Sequence, residues 1–128
     1  MELEDIVREA GHIVAGCAMS FRETMRILAS EVPDVALVDI NLSDGPTGID
    51  VARYMSEHYK STVVFLTANP KRIPRDFAGA LGVIAKPYTV NGLTAALQYL
   101  EESVRRPPPA GKCPIGFSLS PAYSAMWR

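Results

Sequence analysis

Three polar residues stand at the carboxyl ends of three apolar runs: Asp39 after Val35-Ala36-Leu37-Val38, Thr67 after Thr62-Val63-Val64-Phe65-Leu66, and Lys86 after Gly82-Val83-Ile84-Ala85. A carboxylate, a hydroxyl and an ammonium suit the transfer of a phosphoryl group onto the carboxylate. Asp39 attacks, Lys86 offsets charge on the group, and the Thr67 hydroxyl donates to a phosphoryl oxygen afterwards. Taken singly, each residue has a plainer reading. An Asp after a strand is more often a turn or cap residue, a Thr is ordinary strand composition, and a Lys is a solvated charge. Their common place after three consecutive apolar runs favours the chemical reading, because the ends of neighbouring parallel strands lie side by side on one edge of an α/β sheet.

The elements that must position these groups follow from period and punctuation. Val35 to Leu42, bounded by Pro33-Asp34 and by Ser43-Asp44-Gly45-Pro46, reads as a strand buried on both faces. Residues 62–67 and 82–85 read the same way. Ser20-Phe21-Arg22-Glu23 is a capping box that opens a helix to about Val32, where Pro33 ends it. A second helix from about Ile49 to Tyr59 turns Ile49, Val51, Ala52 and Met55 inward. Thr89 caps a last helix with Val90, Leu93, Leu97, Leu100 and Val104 in one stripe, closed by Arg105 and Arg106 at its negative end. Leu3, Ile6, Val7 and Ala10 predict a short opening helix stopped by Gly11, and His12 to Ala18 predicts a strand. Between Thr67 and Gly82 lies the polar loop Asn69 to Pro74, followed by a short helix near Arg75 to Leu81. Alternating strands and helices argue for right-handed βαβ units and an α/β fold with a parallel sheet.

A chain of 128 residues, 48% hydrophobic and 21% charged, fits one globular domain with a real core. That domain is expected over residues 1–106, with a Pro-rich linker and tail over 107–128. Pro107-Pro108-Pro109 must be extended. The rest of the tail has no helical period, yet Ile115, Phe117, Leu119, Tyr123, Met126 and Trp127 give it anchors, so it is either a solvated linker or a segment docked on the domain. A net charge of -1 gives no general attraction to nucleic acid or an anionic membrane surface. Partners are therefore proteins or small ligands. Cys17, expected in the core, and Cys113, in the tail, have no metal-ligand spacing and make a poor disulfide case, which suits a reducing cytoplasm. No apolar run approaches the length of a signal or membrane helix. His12 and His58 read as surface or packing residues.

Over about residues 1–105 the chain resembles the receiver domain of two-component response regulators. The residues that carry the resemblance are Pro33 to Leu42, Asp44-Gly45, Gly48-Ile49-Asp50, Val64 to Ala68, and Lys86-Pro87-Tyr88. The resemblance implies a flavodoxin-like fold with helices on both faces of a parallel sheet. It implies phosphorylation of Asp39 by a histidine kinase or phosphotransfer protein, with Lys86 on the phosphoryl group. It also implies Mg²⁺ held partly by Asp39 and the backbone carbonyl of Asn41, a switch pair of Thr67 and Tyr88, and a cis bond before Pro87. The last helix and the Val83-Ile84-Ala85 strand become the expected face for a downstream protein.

One departure accompanies the match. Receivers of this kind begin with an apolar strand ending in an acidic pair that anchors the metal, and here the chain starts inside the following helix, so the expected fold is amino-terminally truncated. Glu4-Asp5 does not replace the pair, because a helix start already explains both residues. Mg²⁺ binding is therefore expected to be weak or absent. In the strand order 2-1-3-4-5 the missing strand sits between the His12 strand and the Asp39 strand. An unfilled slot would cost about 1–3 kcal/mol per orphan backbone group. It could be filled by residues preceding the chain, by the tail around Pro114 to Leu119, or by a strand-swapped homodimer; alternatively, the two flanking strands pair directly. A four-stranded or partner-completed sheet is the expectation. Two functions follow: a stand-alone phosphoryl-accepting regulator, not an enzyme, that acts through protein contacts, or a degenerate receiver used for docking or dimerisation without phosphorylation. A flavodoxin-like ligand binder finds little support, since no Gly-rich phosphate loop follows any strand.

Overall fold

The computed structural model describes residues 2–127. The three apolar runs form strands where the sequence places them: β1 (Val35–Asp39), β2 (Thr62–Thr67) and β3 (Gly82–Ala85). They pair in parallel, with Val35 opposite Thr62 through Asp39 opposite Leu66, and Val64 opposite Gly82 through Thr67 opposite Ala85. Because successive side chains alternate across a strand, the sheet separates two apolar layers. Val64, Leu66 and Ile84 face α1 (Leu3–Glu9) and α4 (Val90–Arg105), where Ile6, Leu93, Leu97 and Leu100 are buried. Val38, Val63, Phe65 and Val83 face α2 (Phe21–Ser30) and α3 (Gly48–His58), which contribute Leu28, Val51, Ala52 and Met55. Each fully buried side chain of this size contributes about 1.5–3 kcal/mol of transfer free energy.

The helix caps also form. Ser20 Oγ accepts from the Glu23 N–H at 3.1 Å and Thr89 Oγ1 from the Gly92 N–H at 2.9 Å. The inward face of α4 differs in detail from the predicted stripe. Leu93, Leu97 and Leu100 are joined by Ala96 and Tyr99, while Val90 and Val104 at the ends reach solvent.

Three expectations are corrected. Residues 12–18 form no strand, and Ile13 is 92% exposed. The order is β1-β2-β3-β4, and among the described residues nothing pairs with the outer edge of β1. The His12 to Ala18 segment therefore has no ladder to join, and strand propensity without a partner gives no strand. Cys17 is exposed for the same reason, where a core position was expected. No α-helix spans 75–81 either. A single turn, Phe77–Gly79, stands in its place, preceded by another at Pro70–Arg72, because Pro74 interrupts the ladder and Phe77, Ala78 and Gly79 all have positive φ.

The third is the all-parallel sheet, and it is changed by the tail, which the sequence leaves open between a solvated linker and a docked segment. The tail docks, and it carries a strand, β4 (Phe117–Leu119), and a short helix, α5 (Pro121–Met126). The sheet is thus four-stranded but mixed: β4 runs antiparallel to β3, with Gly82 opposite Leu119 and Ile84 opposite Phe117. The tail therefore does not fill the slot beside β1 but covers the opposite rim. Phe117 is buried with its ring 5.4 Å from that of Tyr99, and Leu119, Tyr123 and Trp127 pack on the α1/α4 layer. Gly82 permits this approach, since a Cβ there would overlap the Ser118 carbonyl. The face predicted for an outside partner is, along the edge of β3, taken by the chain's own tail.

Candidate functional site

Asp39 ends β1, Thr67 ends β2, and Lys86 directly follows β3, so the topology brings all three to one rim of the sheet. Strands β1 and β3 are two spacings apart, about 9–10 Å. A lysine side chain and an aspartate together cover that distance, and the Lys86 Nζ donates to Asp39 Oδ2 across the end of β2. The Lys86 backbone N–H is fixed by the Thr67 carbonyl at 3.0 Å, and the Lys86–Pro87 bond is cis. Asp39 Oδ1 accepts from the Asn41 N–H at 3.3 Å. Both side chains of the pair are a little over one-third exposed, so a small anionic donor can reach the carboxylate.

Thr67 is buried apart from the strand end, and its Oγ1 accepts from the Asn69 N–H at 3.0 Å, leaving the hydroxyl proton to donate. Tyr88 is half-buried against the α1/α4 layer, two residues beyond Lys86.

The loop after β1 is braced at several points. Asp44 Oδ2 accepts from the Phe21 N–H at 3.1 Å, and its Oδ1 accepts from the Thr47 hydroxyl at 2.5 Å. The Thr47 hydroxyl, followed by the Phe21 amide, holds the Asp44 carboxyl below the usual carboxylate range. Ser43 bonds the Met19 carbonyl through both its N–H (2.7 Å) and its hydroxyl (2.6 Å). Gly48 then brings α3 against the strand end: its N–H donates to the Ile40 carbonyl at 2.9 Å, and a Cβ there would overlap the Asp39 carbonyl.

A rim bearing one paired carboxylate, a lysine followed by a cis proline, and a buried hydroxyl is the arrangement on which a receiver is built, and the comparison with known sequences agrees. The response regulator receiver domain matches residues 1–98. The chain belongs to the response regulator receiver family. This receiver is 32% identical over 111 residues to the phyllosphere-induced regulator PhyR of Methylorubrum extorquens, covering 83% of the chain and 42% of PhyR. It is 28% identical over 102 residues to the transcriptional regulatory protein PdtaR of Mycobacterium tuberculosis, covering 77% of the chain and 49% of PdtaR. The chain therefore spans less than half the length of these relatives. Among solved structures it matches the receiver domain of Erythrobacter litoralis PhyR with a TM-score of 0.67 and 31% identity, over 77% of this chain and 78% of that one.

Among the described residues the oxygen donors at the rim fall short of a divalent-cation site. Of the oxygen donors that the family pattern assigns, Asp39 and the Asn41 carbonyl are the two found among the described residues. Among the described residues no group of three or more His, Cys, Asp or Glu could hold a metal. Glu4 and Asp5 lie exposed on the first turn of α1, and Glu4 faces Arg8 at 3.7 Å. Mg²⁺ prefers octahedral oxygen coordination with carboxylate help, and Asp44, the other acid of the loop, is committed to Phe21 and Thr47.

One residue at the rim escaped the sequence reading. Arg72 Nη1 donates to Asn41 Oδ1 at 3.3 Å. The sequence shows it only as part of the polar run Lys71-Arg72 after β2. The available signal was topological: a loop leaving β2 at its carboxyl end lies beside the loop leaving β1.

Proposed function

We propose that this receiver accepts a phosphoryl group on Asp39 and signals through protein contacts rather than by turning over a substrate. The observation that carries the reading is the Lys86–Asp39 pair formed across the end of β2, with Thr67 ending the strand between them. Phosphorylation converts the carboxylate into a group of about -2 charge. Lys86 transfers its donation to the phosphoryl oxygens, the Thr67 hydroxyl turns from Asn69 toward them, and Tyr88 rotates behind it, so a local change reaches the surface. The donor is a histidine kinase or phosphotransfer protein of the cytoplasm, and the reader of the change is a second protein. No helix among the described residues is long and apolar enough to cross a membrane.

That the described residues bring no group of three or more acidic or metal-ligating side chains together favours one other reading, a receiver used for docking without phosphorylation. A second copy of the chain, pairing along the outer edge of β1, would be its partner. Incubation with acetyl phosphate, followed by intact mass, separates the two. A single phosphoryl adduct that Asp39→Asn abolishes supports phosphoacceptance; no adduct at high donor concentration, with or without Mg²⁺, refutes it.

A further inference from the structure

We propose that the tail strand β4 is a latch on the outer edge of β3, that phosphorylation of Asp39 opens it, and that the opened edge takes an extended, uncharged strand of a partner protein. This latch rests on the reading of Asp39 as the acceptor and adds to it the surface that a partner reads.

Strand β3 is built to be paired on both sides. Gly82-Val83-Ile84-Ala85 has neither the charge nor the proline by which natural proteins guard an open edge. Its outer edge is covered by the three residues of β4, with Gly82 opposite Leu119 and Ile84 opposite Phe117. One further bond closes each end: the Ala85 N–H donates to the Gly116 carbonyl at 2.9 Å, and the Ser120 N–H to the Leu81 carbonyl at 2.8 Å. Phe117 and Leu119 turn to the α1/α4 layer while Ser118 is exposed. Residues 114–127 carry no charged side chain. The tail thus displays what the edge accepts, an uncharged strand with apolar residues at alternate positions. The cover is also removable. Among the described residues the backbone of residues 107–113, which joins the tail to α4, makes no backbone hydrogen bond, so the hinge opens without losing one.

The rim end of the latch adjoins the acceptor. Thr67, Ala85 and Gly116 form one row across the sheet, with Thr67 opposite Ala85 and Ala85 bonded to Gly116. Lys86, the next residue, holds Asp39 through its Nζ and the Thr67 carbonyl through its N–H. A phosphoryl group on Asp39 comes between that carboxyl oxygen and Lys86, so Lys86 must shift to keep donating, and Thr67 turns toward the same group. The Ala85–Gly116 bond already has ordinary length, and movement of the β3 end weakens it. Such coupling is reciprocal, so loosening the latch favours the phosphorylated state.

The test uses the full chain with acetyl phosphate and Mg²⁺. An Asp39 oxygen attacks phosphorus, the bond to the acetate oxygen breaks, and acetate leaves with the electron pair; the adduct is followed by intact mass. Two readouts accompany it: deuterium exchange of the Ala85 amide, and fluorescence anisotropy of a labelled peptide of residues 114–127. Exchange should rise about fivefold, as loss of one hydrogen bond of ordinary strength implies. Peptide affinity should rise by the same factor, since it scales with the open fraction. Asp39→Asn should show neither change. Gly116→Ala, strained at a φ of 88° although its methyl meets no atom within 4 Å, loosens the latch without touching the core and should bind the peptide more tightly with no acetyl phosphate present. Phe117→Ala should do the same. An adduct that leaves Ala85 exchange or peptide affinity unmoved overturns the latch and leaves Asp39 as the acceptor. Failure of both loosened variants to gain peptide binding, with circular dichroism unchanged, overturns the docking edge. No adduct at all removes the acceptor reading and the latch with it.

Discussion

Replacing Phe117 by Ala should free the tail from the sheet before it unfolds the domain. Phe117 is 5% exposed, and its ring stands 5.4 Å from that of Tyr99. Truncating a buried Phe costs about 3–5 kcal/mol, of which an aromatic pair accounts for about 0.5–1.5. The strand that bears it has three residues and one paired edge, so its docking free energy cannot much exceed that loss. The cost is therefore met by local opening, and the global transition shifts by less than the full amount. Two reporters read this directly. The Ala85 N–H donates to the Gly116 carbonyl at 2.9 Å, and its exchange with deuterium should accelerate about a hundredfold for about 3 kcal/mol lost. Trp127, the one tryptophan of the chain, packs on the α1/α4 layer, and its emission should move to the red. Unchanged Ala85 exchange and Trp127 emission, with a fall of several kcal/mol in the urea-derived stability, would show that tail and sheet unfold as one unit and would refute the reasoning.

Other variants probe the remaining contacts. Gly82→Ala places a methyl on the Ser118 carbonyl and should raise Ala85 exchange as Phe117→Ala does, while β1 and β2 amides keep their protection. Gly48→Ala meets the Asp39 carbonyl in a buried corner and should lower stability by about 1–3 kcal/mol in urea unfolding, whereas Asp50→Ala on the exposed face of α3 should cost well under 1 kcal/mol. The Arg53 guanidinium, bonded to Asp76 at 2.9 and 3.2 Å, and then the Ala78 N–H, hold the Asp76 carboxyl down to about 2 from 3.8. The sign follows: a depressed carboxyl contributes its stability above the unfolded value and loses it as pH falls from about 4 through about 2. The pair is exposed, so salt should weaken it. An NMR titration should place Asp76 near 2 and, in Arg53→Gln, part of the way back to 3.8.

Much of the site was legible because it sits where apolar runs stop. Val35 to Val38, Thr62 to Leu66 and Gly82 to Ala85 had to be strands, being too short for helices and too apolar for loops, and the residue after each run had to lie at the rim. Local chemistry fixed the helix starts at Ser20 and Thr89, each with a hydroxyl bonded three residues ahead. What failed were judgements that depend on a partner. His12 to Ala18 has the composition of a strand but no edge beside it. Phe117 to Leu119, three residues with no period, could be offered as a strand for the slot beside β1, but nothing in its sequence showed that it would bond the far edge, at β3, instead. Arg72 could not be singled out from Lys71 or Arg75 because side-chain direction in a loop leaves no periodic trace.

The tail strand is joined to the end of α4 by the segment between Arg105 and Phe117. Tethered at so short a range, it presents itself to the β3 rim at an effective concentration of order millimolar. An extended peptide from another protein that seeks this rim must displace a competitor that never diffuses away. Only a ligand strand with affinity well beyond that threshold, or an event that first loosens Gly116 from Ala85, one residue from Lys86, would find the rim open.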